Sequence, residues 1–462
     1  MSKKIDMLNG GVVKKILVFT IPIMLQGILQ NIYNSADLVI VGRFSGDTAL
    51  ASVGATTAIY NVLIALFLGF SAGVDVVSSF HHGMRDYKGV KQVIDTAVII
   101  APLLGLCVTF VGLFLAEPML VLMKTPVEDG VLEGAVIYLR IIVCGVPFSL
   151  LYNFCAAVFR TSGETKRPFI YLAISGIVNV ILNIALVAGF NLGVVGVAIA
   201  TVISQALSAT LILLDLMYNK GLFTFSFKNA EFSKQKFLKI IRVGIPAGIQ
   251  SCAFNLSNAF LQSGVNSFGK DAIAGSTAVA TVEGLMWVTL TSFQNGTTTF
   301  ISKNVGAGRI ERVNKILFTT ISMTAILGIF IGMGSFLLSE PIMSIFITDN
   351  QLALDAALER LSVTFPVYFL AGIMGVMPGG VRGLGYSLSP SLISIIGACG
   401  VRIVWIYTVF QANRSLWVLY LVHPITWVIT NIALVINYII CYRIVKNRIN
   451  GQKKTLATSV ST

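Results

Sequence analysis

Arg160-Thr161-Ser162-Gly163, with Pro168 following, returns as Arg382-Gly383-Leu384-Gly385, with Pro390 following. Ile21-Pro22 returns as Ile245-Pro246, Gly83-Met84-Arg85-Asp86 as Gly306-Ala307-Gly308-Arg309, and Glu117-Pro118-Met119 as Glu340-Pro341-Ile342. The offset stays at about 220 residues throughout, far longer than the unit of a solenoid. The chain is one module written twice. Fused copies of one hydrophobic module are a frequent plan among secondary transporters, with the working site between the copies.

The module is built for lipid. The chain is 55% hydrophobic and 11% charged, with a mean hydropathy of +0.85, whereas soluble domains carry about 25% charged residues. So little charge cannot cover a water-facing surface. A helix needs roughly 20 apolar residues to cross the hydrocarbon. On that rule the sequence predicts about twelve spans, numbered 1 to 12: 14–41, 49–80, 93–115, 134–159, 168–190, 193–218, 240–267, 272–302, 315–338, 358–381, 389–411 and 416–442. The first run is too long for a signal-peptide core and no small-residue cleavage site follows it, so it reads as a retained span.

Charge placement tests the count. With the N-terminus in the cytoplasm, about 26 of the 33 Lys and Arg residues fall inside, including Arg85, Lys88, Lys91, Lys166, Arg167, Lys220, Lys234, Lys236 and Lys239. The predicted outside loops collect Glu117, Glu128, Asp129, Glu133, Glu340 and Asp349. This is the positive-inside pattern of a multi-pass cell-membrane protein with both termini cytoplasmic. Six spans per copy make the two copies parallel repeats. The reading is therefore all-α and polytopic: two six-helix lobes related by pseudo-two-fold symmetry. The N-lobe is 1–218, a cytoplasmic linker 219–239, the C-lobe 240–442 and a polar cytoplasmic tail 443–462. The linker mixes Phe223, Phe225, Phe227, Phe232 and Phe237 with lysines, which predicts that it lies along the membrane interface; the tail is expected to be loose.

The net charge of +13 resides in loops and forms no single face, so nucleic acid is not indicated. Cys107, Cys144, Cys155, Cys252, Cys399 and Cys441 fall within spans without CxxC spacing, and read as packing residues with no disulfide or metal role. No phosphate loop, nucleotide motif or catalytic triad is present, so no cofactor and no enzyme activity is expected, and pumping must draw on an ion gradient.

An ionisable residue in hydrocarbon is costly and defaults to a functional hypothesis. Asp37, late in span 1, is followed by apolar Leu38-Val39-Ile40-Val41; it is a functional acid or it lies at the outer water interface. Glu283, deep in span 8, faces a cavity or a basic partner. Asp75 in span 2 is a cavity residue or the partner of a buried base. Arg402 in span 11 pairs with an acid such as Glu283 or contacts substrate. His81-His82, at the end of span 2, point about 100° apart and cannot easily chelate one metal; they read as interfacial. Asn179 and Asn183 share a face of span 5, and Thr201 lies in span 6. Their oxygens suit a hard cation such as Na⁺, or they are packing hydrogen bonds. Pro22 and Pro246, at matching places in spans 1 and 7, are candidate hinges.

Asp37-Leu38-Val39-Ile40-Val41-Gly42-Arg43, Asn304-Val305-Gly306-Ala307-Gly308 and Gly193-Val194-Val195-Gly196-Val197-Ala198-Ile199-Ala200-Thr201 together resemble the multidrug and toxic compound extrusion (MATE) transporters. The resemblance covers almost the full chain. It implies two six-helix lobes in a V, and an N-lobe proton or cation site at Asp37, Asn179, Asn183 and Thr201. Glu283 resembles a span 8 acid of some members. The chain departs from the family pattern at Asp75, Phe80, His81, His82, Asn183 and Lys303, with Asn183 standing where many members carry Asp.

The expected function is H⁺- or Na⁺-coupled antiport. The expected substrates are small lipophilic organic cations, exported by a monomer in the bilayer. Asp37 would carry the ion, with Glu283, Asp75 and Arg402 as substrate or charge-pairing residues. The alternative is a lipid-linked precursor flippase of the same architecture, whose cavity should be basic. An ion channel and an intramembrane enzyme fit less well. The repeats disagree where it matters: Asp37 has no acid opposite it in span 7, and Glu283 has Tyr60 as its counterpart.

Overall fold

A computed structural model describes residues 4–218, 223–347 and 350–461; side chains are described up to Gly451, Glu128 excepted. Lys3, Lys220 and Asp349, and the side chains of Glu128, Lys453 and Lys454, lie outside the described residues. Every regular element among the described residues is helical. Among the described residues ten helices are long and apolar enough to cross a membrane, and a bent pair, Val131–Val143 with Val146–Ser162 at 44°, makes an eleventh.

The twelfth is hidden in the first helix. Val12–Gly83 contains 72 residues, which at 1.5 Å per residue would run for about 108 Å, over three times the hydrocarbon thickness. Gly46 interrupts it with φ 81° and ψ −178°, a conformation open to a residue without Cβ. The helix is therefore two spans, 12–45 and 47–83, meeting at a glycine. The helix runs unbroken through Pro22 and through Pro246 of Lys234–Asn266, and neither position breaks the helical backbone.

The chain divides into two compact units. The first comprises Ile21–Ile241 with the N-terminal residues to Ile5; the second comprises Asp6–Thr20 and everything from Arg242 onward. The linker thus belongs with the first unit, and the opening turns of span 1 belong with the second. There, Phe19 packs edge-on against Phe300 at 5.3 Å, and the Asn304 side chain donates to the Met7 carbonyl at 3.2 Å.

Duplication persists in the packing. A Cβ on Gly105 (helix Tyr87–Leu122) would lie 2.3 Å from Pro147 Cα; one on Gly328 (helix Ile310–Leu337) would lie 2.8 Å from Phe369 Cα. Both pairs sit at the repeat offset. Each unit therefore joins its third and fourth helices backbone to backbone through a residue with no side chain. Large apolar residues such as Phe110, Phe114, Phe330 and Ile396 remain exposed on the surface, as expected where lipid is the solvent.

Two expectations are corrected. The linker does not simply lie along an interface. Phe223 and Phe225 are buried in the apolar core of the first unit, while Phe227 and Phe232 are exposed. The tail is not loose backbone: the last helix runs from Leu416 to Ser461. Its Lys and Arg residues are good helix formers, and no proline follows Pro424 to stop propagation.

Candidate functional site

Asp37 is 7% exposed. Its Oδ1 accepts a hydrogen bond from Asn183 Nδ2 at 2.5 Å and its Oδ2 accepts one from Thr201 Oγ1 at 3.3 Å. The Asn183 amide also donates to Asn179 Oδ1 at 3.2 Å, which fixes both asparagines on one helical face. The structure thus brings Asp37, Asn179, Asn183 and Thr201 into one hydrogen-bonded cluster, within the first unit. Thr201 has one proton and two acceptors, Asp37 and the Val197 carbonyl at 3.0 Å, so its hydroxyl can leave the carboxylate without losing a bond. Asn183 Oδ1 is buried without a partner. Directly after Asn183 the helix loosens into a π-turn, Ile184–Gly189. Such turns recur at functional sites because they release part of the i→i−4 ladder.

A small, partly open cleft reaches this cluster, lined by Asp37, Thr56, Tyr60, Asn61, Tyr138 and Thr201 among others. Tyr60 accepts from Gln205 Nε2 at 2.9 Å. Sequence reasoning missed Tyr138 and Gln205, and noted Tyr60 only as the counterpart of Glu283. The signal for Tyr138 was present: its repeat counterpart is Arg360.

The other buried acids described are paired with bases. Asp75 accepts from Arg160 Nε at 3.1 Å and from Ser79 at 3.2 Å, and Arg160 also reaches Ser71. It is the partner of a buried base. Asp95 pairs with Lys91 at 2.6 Å, and Glu164 with Arg167 at 2.6 Å. Among the described residues, Asp37 is the one buried carboxylate with no basic group within 4.0 Å.

Of the two readings of Arg402, pairing with Glu283 is not what the structure shows. Glu283 Oε2 instead meets Arg360 Nη2 at 2.6 Å. Arg360 further donates to the Ser276 carbonyl at 3.1 Å and hydroxyl at 2.5 Å, and lies over the Tyr420 ring at 5.4 Å. The cause is steric. A Cβ on Gly275 would lie 2.3 Å from the Ala353 carbonyl, so helices Lys270–Gly306 and Gln351–Thr364 touch, and two turns further on Arg360 faces Glu283. The pair occupies the positions that Tyr60 and Tyr138 hold in the first unit. Arg402, 3% exposed, donates to Asn258 Oδ1 at 2.7 Å and has no acid within 4.0 Å among the described residues.

His81, at the end of its span, is 5% exposed and hydrogen-bonded through both ring nitrogens. His82 Nδ1 lies 3.1 Å from the Thr161 carbonyl. Lys303 is buried in the last turn of its helix.

The MatE family model matches residues 22–185 and again residues 246–408. The chain belongs to the MatE family. Both matches open on the paired prolines, Pro22 and Pro246, so the family unit is the repeat itself. Among curated MatE relatives, probable multidrug resistance protein YoeA of Bacillus subtilis (strain 168) is 27% identical over 84% of this chain and 84% of its own length. Probable multidrug resistance protein YpnP of the same organism is 30% identical over 67% of this chain and 69% of its own. Among solved structures, a MATE protein in the bent conformation superposes with a TM-score of 0.85 at 21% identity, covering 99% of this chain and all of that one. An outward-facing multidrug resistance MATE family transporter gives 0.84 at 21% identity, covering 98% and 99%. This MatE protein is a multi-pass membrane transporter with the two-lobed fold of those structures.

Proposed function

We propose that the protein is a cation-coupled antiporter that exports small lipophilic organic cations across the cell membrane, with Asp37 as the group that carries the coupling ion. The observation that carries the reading is the isolation of Asp37. It is a buried carboxylate held only by an amide and a hydroxyl, whereas each other buried acid described has a base beside it. An ionised carboxylate without a counter-charge is costly to bury, so a cation must visit it for part of the cycle. The names of the multidrug resistance relatives support drug-like small molecules as substrates; their cationic, lipophilic character belongs to the proposal.

In this reading H⁺ or Na⁺ enters the cleft and neutralises Asp37. The Thr201 hydroxyl then turns fully to the Val197 carbonyl, and the Asn183 oxygen offers a neutral ligand for a metal cation. The π-turn after Asn183 and the proline at position 22 are where the surrounding helices can readjust. Binding drives the cycle only insofar as the two conformations hold the ion unequally. The Lys and Arg distribution supports cytoplasmic termini, so the ion enters from outside as the organic cation leaves.

A second reading, flipping of a lipid-linked anionic precursor, draws on Arg402 and Arg382. Both are buried in the second unit and bonded to the neutral side chains of Asn258 and Gln250. Efflux of ethidium from proteoliposomes, under a pH gradient alone and under a Na⁺ gradient alone, tests the first reading. Export driven by one of them supports it. Export by neither, together with movement of an anionic lipid analogue, supports the second.

A further inference from the structure

His81 is buried and bonded through both ring nitrogens, and the transport reading leaves it without a task. The geometry points to a latch: we propose that Lys236, His81 and Asp86 fasten the linker to the end of the second span, and that a proton on His81 releases it.

With Lys236 charged, the hydrogen bonds admit one protonation state of His81. His81 Nδ1 lies 2.8 Å from Asp86 Oδ2, and His81 Nε2 lies 2.9 Å from Lys236 Nζ. An ammonium has donors only, and a carboxylate has acceptors only. Nε2 must therefore accept from Lys236 while Nδ1–H donates to Asp86, which is the neutral imidazole in a single tautomer. A second proton would set an N–H against the ammonium, two donors and two positive charges 2.9 Å apart. Asp86 stays anionic throughout. Its other oxygen accepts the Gly89 N–H at 2.9 Å, and that bond, with His81 beside it, holds the carboxyl below the usual carboxylate range.

The surroundings strengthen the conflict. From helix Lys234–Asn266, Lys239 faces His81 as well as Lys236. From its own helix, Phe80 lies edge-on at 5.9 Å, and His82 is turned away to the Thr161 carbonyl and the Phe223 ring. Asp86 is thus the acid available to offset two lysines. Lys236 is 5% exposed and sits in the first turn of its helix, where the dipole disfavours a cation, so it depends on the imidazole lone pair. Other hydrogen bonds also tie the linker to the first unit, among them Ser233 N–H to Thr96 Oγ1 at 3.0 Å, Glu231 N–H to Asp95 Oδ2 at 3.4 Å and Phe225 N–H to the Leu216 carbonyl at 3.1 Å. None of these ties involves a histidine.

The sign follows. The latched state excludes the imidazolium, while a released histidine takes a proton at about pH 6.5. Latching is complete above that value and weakens by up to about tenfold for each pH unit below it. A MatE protein with this latch senses acid on the linker side independently of the ion it carries at Asp37.

Hydrogen exchange of the full-length protein in lipid nanodiscs tests this, read at the amides of residues 237–241 between pH 5.5 and 7.5 and expressed as protection relative to the intrinsic rate at each pH. In the wild type, protection should fall by up to about tenfold per unit below pH 6.5. In His81→Gln, whose amide oxygen can still accept from Lys236, it should be flat. In Lys236→Met it should be low at every pH. A wild type with no pH dependence overturns the proposal, and so does a His81→Gln or Lys236→Met variant that keeps the wild-type profile.

Discussion

Arg360→Met separates a structural acid from a coupling acid, and its cost can be worked from the contacts. Arg360 is 6% exposed and holds Glu283 at 2.6 Å, the Ser276 carbonyl and hydroxyl, and the Tyr420 ring. Removing one partner of a buried ion pair costs about 3–5 kcal/mol. The Glu283 side chain keeps 20% exposure, and this partial hydration brings the expected loss to about 2–4 kcal/mol. Glu283→Gln should cost less, about 1–2 kcal/mol, because the guanidinium keeps its Ser276 and Tyr420 contacts. Combining the two substitutions should recover part of the Arg360→Met loss, since no unpaired carboxylate remains. Thermal unfolding of purified protein would show the single Arg360→Met change as a drop of roughly 2–4 °C for a chain of 462 residues. Ethidium export by Glu283→Gln, measured under the same gradient, should stay within about threefold of wild type, a change of less than 1 kcal/mol. A Glu283→Gln protein that is as stable as wild type but no longer couples export to the gradient would refute the reasoning, because Glu283 would then be the ion carrier.

Three further outcomes follow from the same geometry. Asp37→Asn should fold with a stability change of no more than about 1–2 kcal/mol, since the amide keeps the shape of the carboxylate. It should nonetheless lose gradient-driven ethidium export entirely. Asn183→Leu removes the 2.5 Å donor from Asp37; the anion loses a bond worth about 1.5–3 kcal/mol. A coupling proton should then be held about ten times more tightly, seen as a lower proton concentration for half-maximal export, whereas Na⁺, which loses the Asn183 oxygen, should not be. Gly105→Ala drives a methyl into Pro147, whereas Gly284→Ala meets nothing within 4 Å. The first should lower unfolding temperature, by about 1–3 kcal/mol of strain, and the second should leave it unchanged.

The repeat was legible because duplication preserves spacing, and the offset that aligns Pro22 with Pro246 also aligns Gly105–Pro147 with Gly328–Phe369. Twelve spans were legible for the same reason, although spans 1 and 2 share one helix whose break rests on Gly46 alone. The cluster around Asp37 could be assembled from the resemblance and from the i, i+4 spacing of Asn179 and Asn183. The partner of Glu283 could not. Choosing between Arg360 and Arg402 requires knowing which helices touch, and that is decided by the missing side chain of Gly275. The burial of His81 was not legible because a histidine at a span end has no period to betray it; it depends on the linker folding back with Phe223, Phe225 and Lys236. The helical tail after Lys446 was lost to its polar composition, which sets solubility and does not forbid a helix.

The central claim is that Asp37 alone carries the coupling ion, and the most direct measurement is the number of ions displaced when substrate binds. Purified protein in weakly buffered detergent solution, titrated with ethidium and monitored with a pH indicator and in parallel with a Na⁺ electrode, should release up to one H⁺ or one Na⁺ per bound substrate. Asp37→Asn should release none while still binding ethidium. Equal release from Asp37→Asn, or two ions from the wild type, would contradict the account.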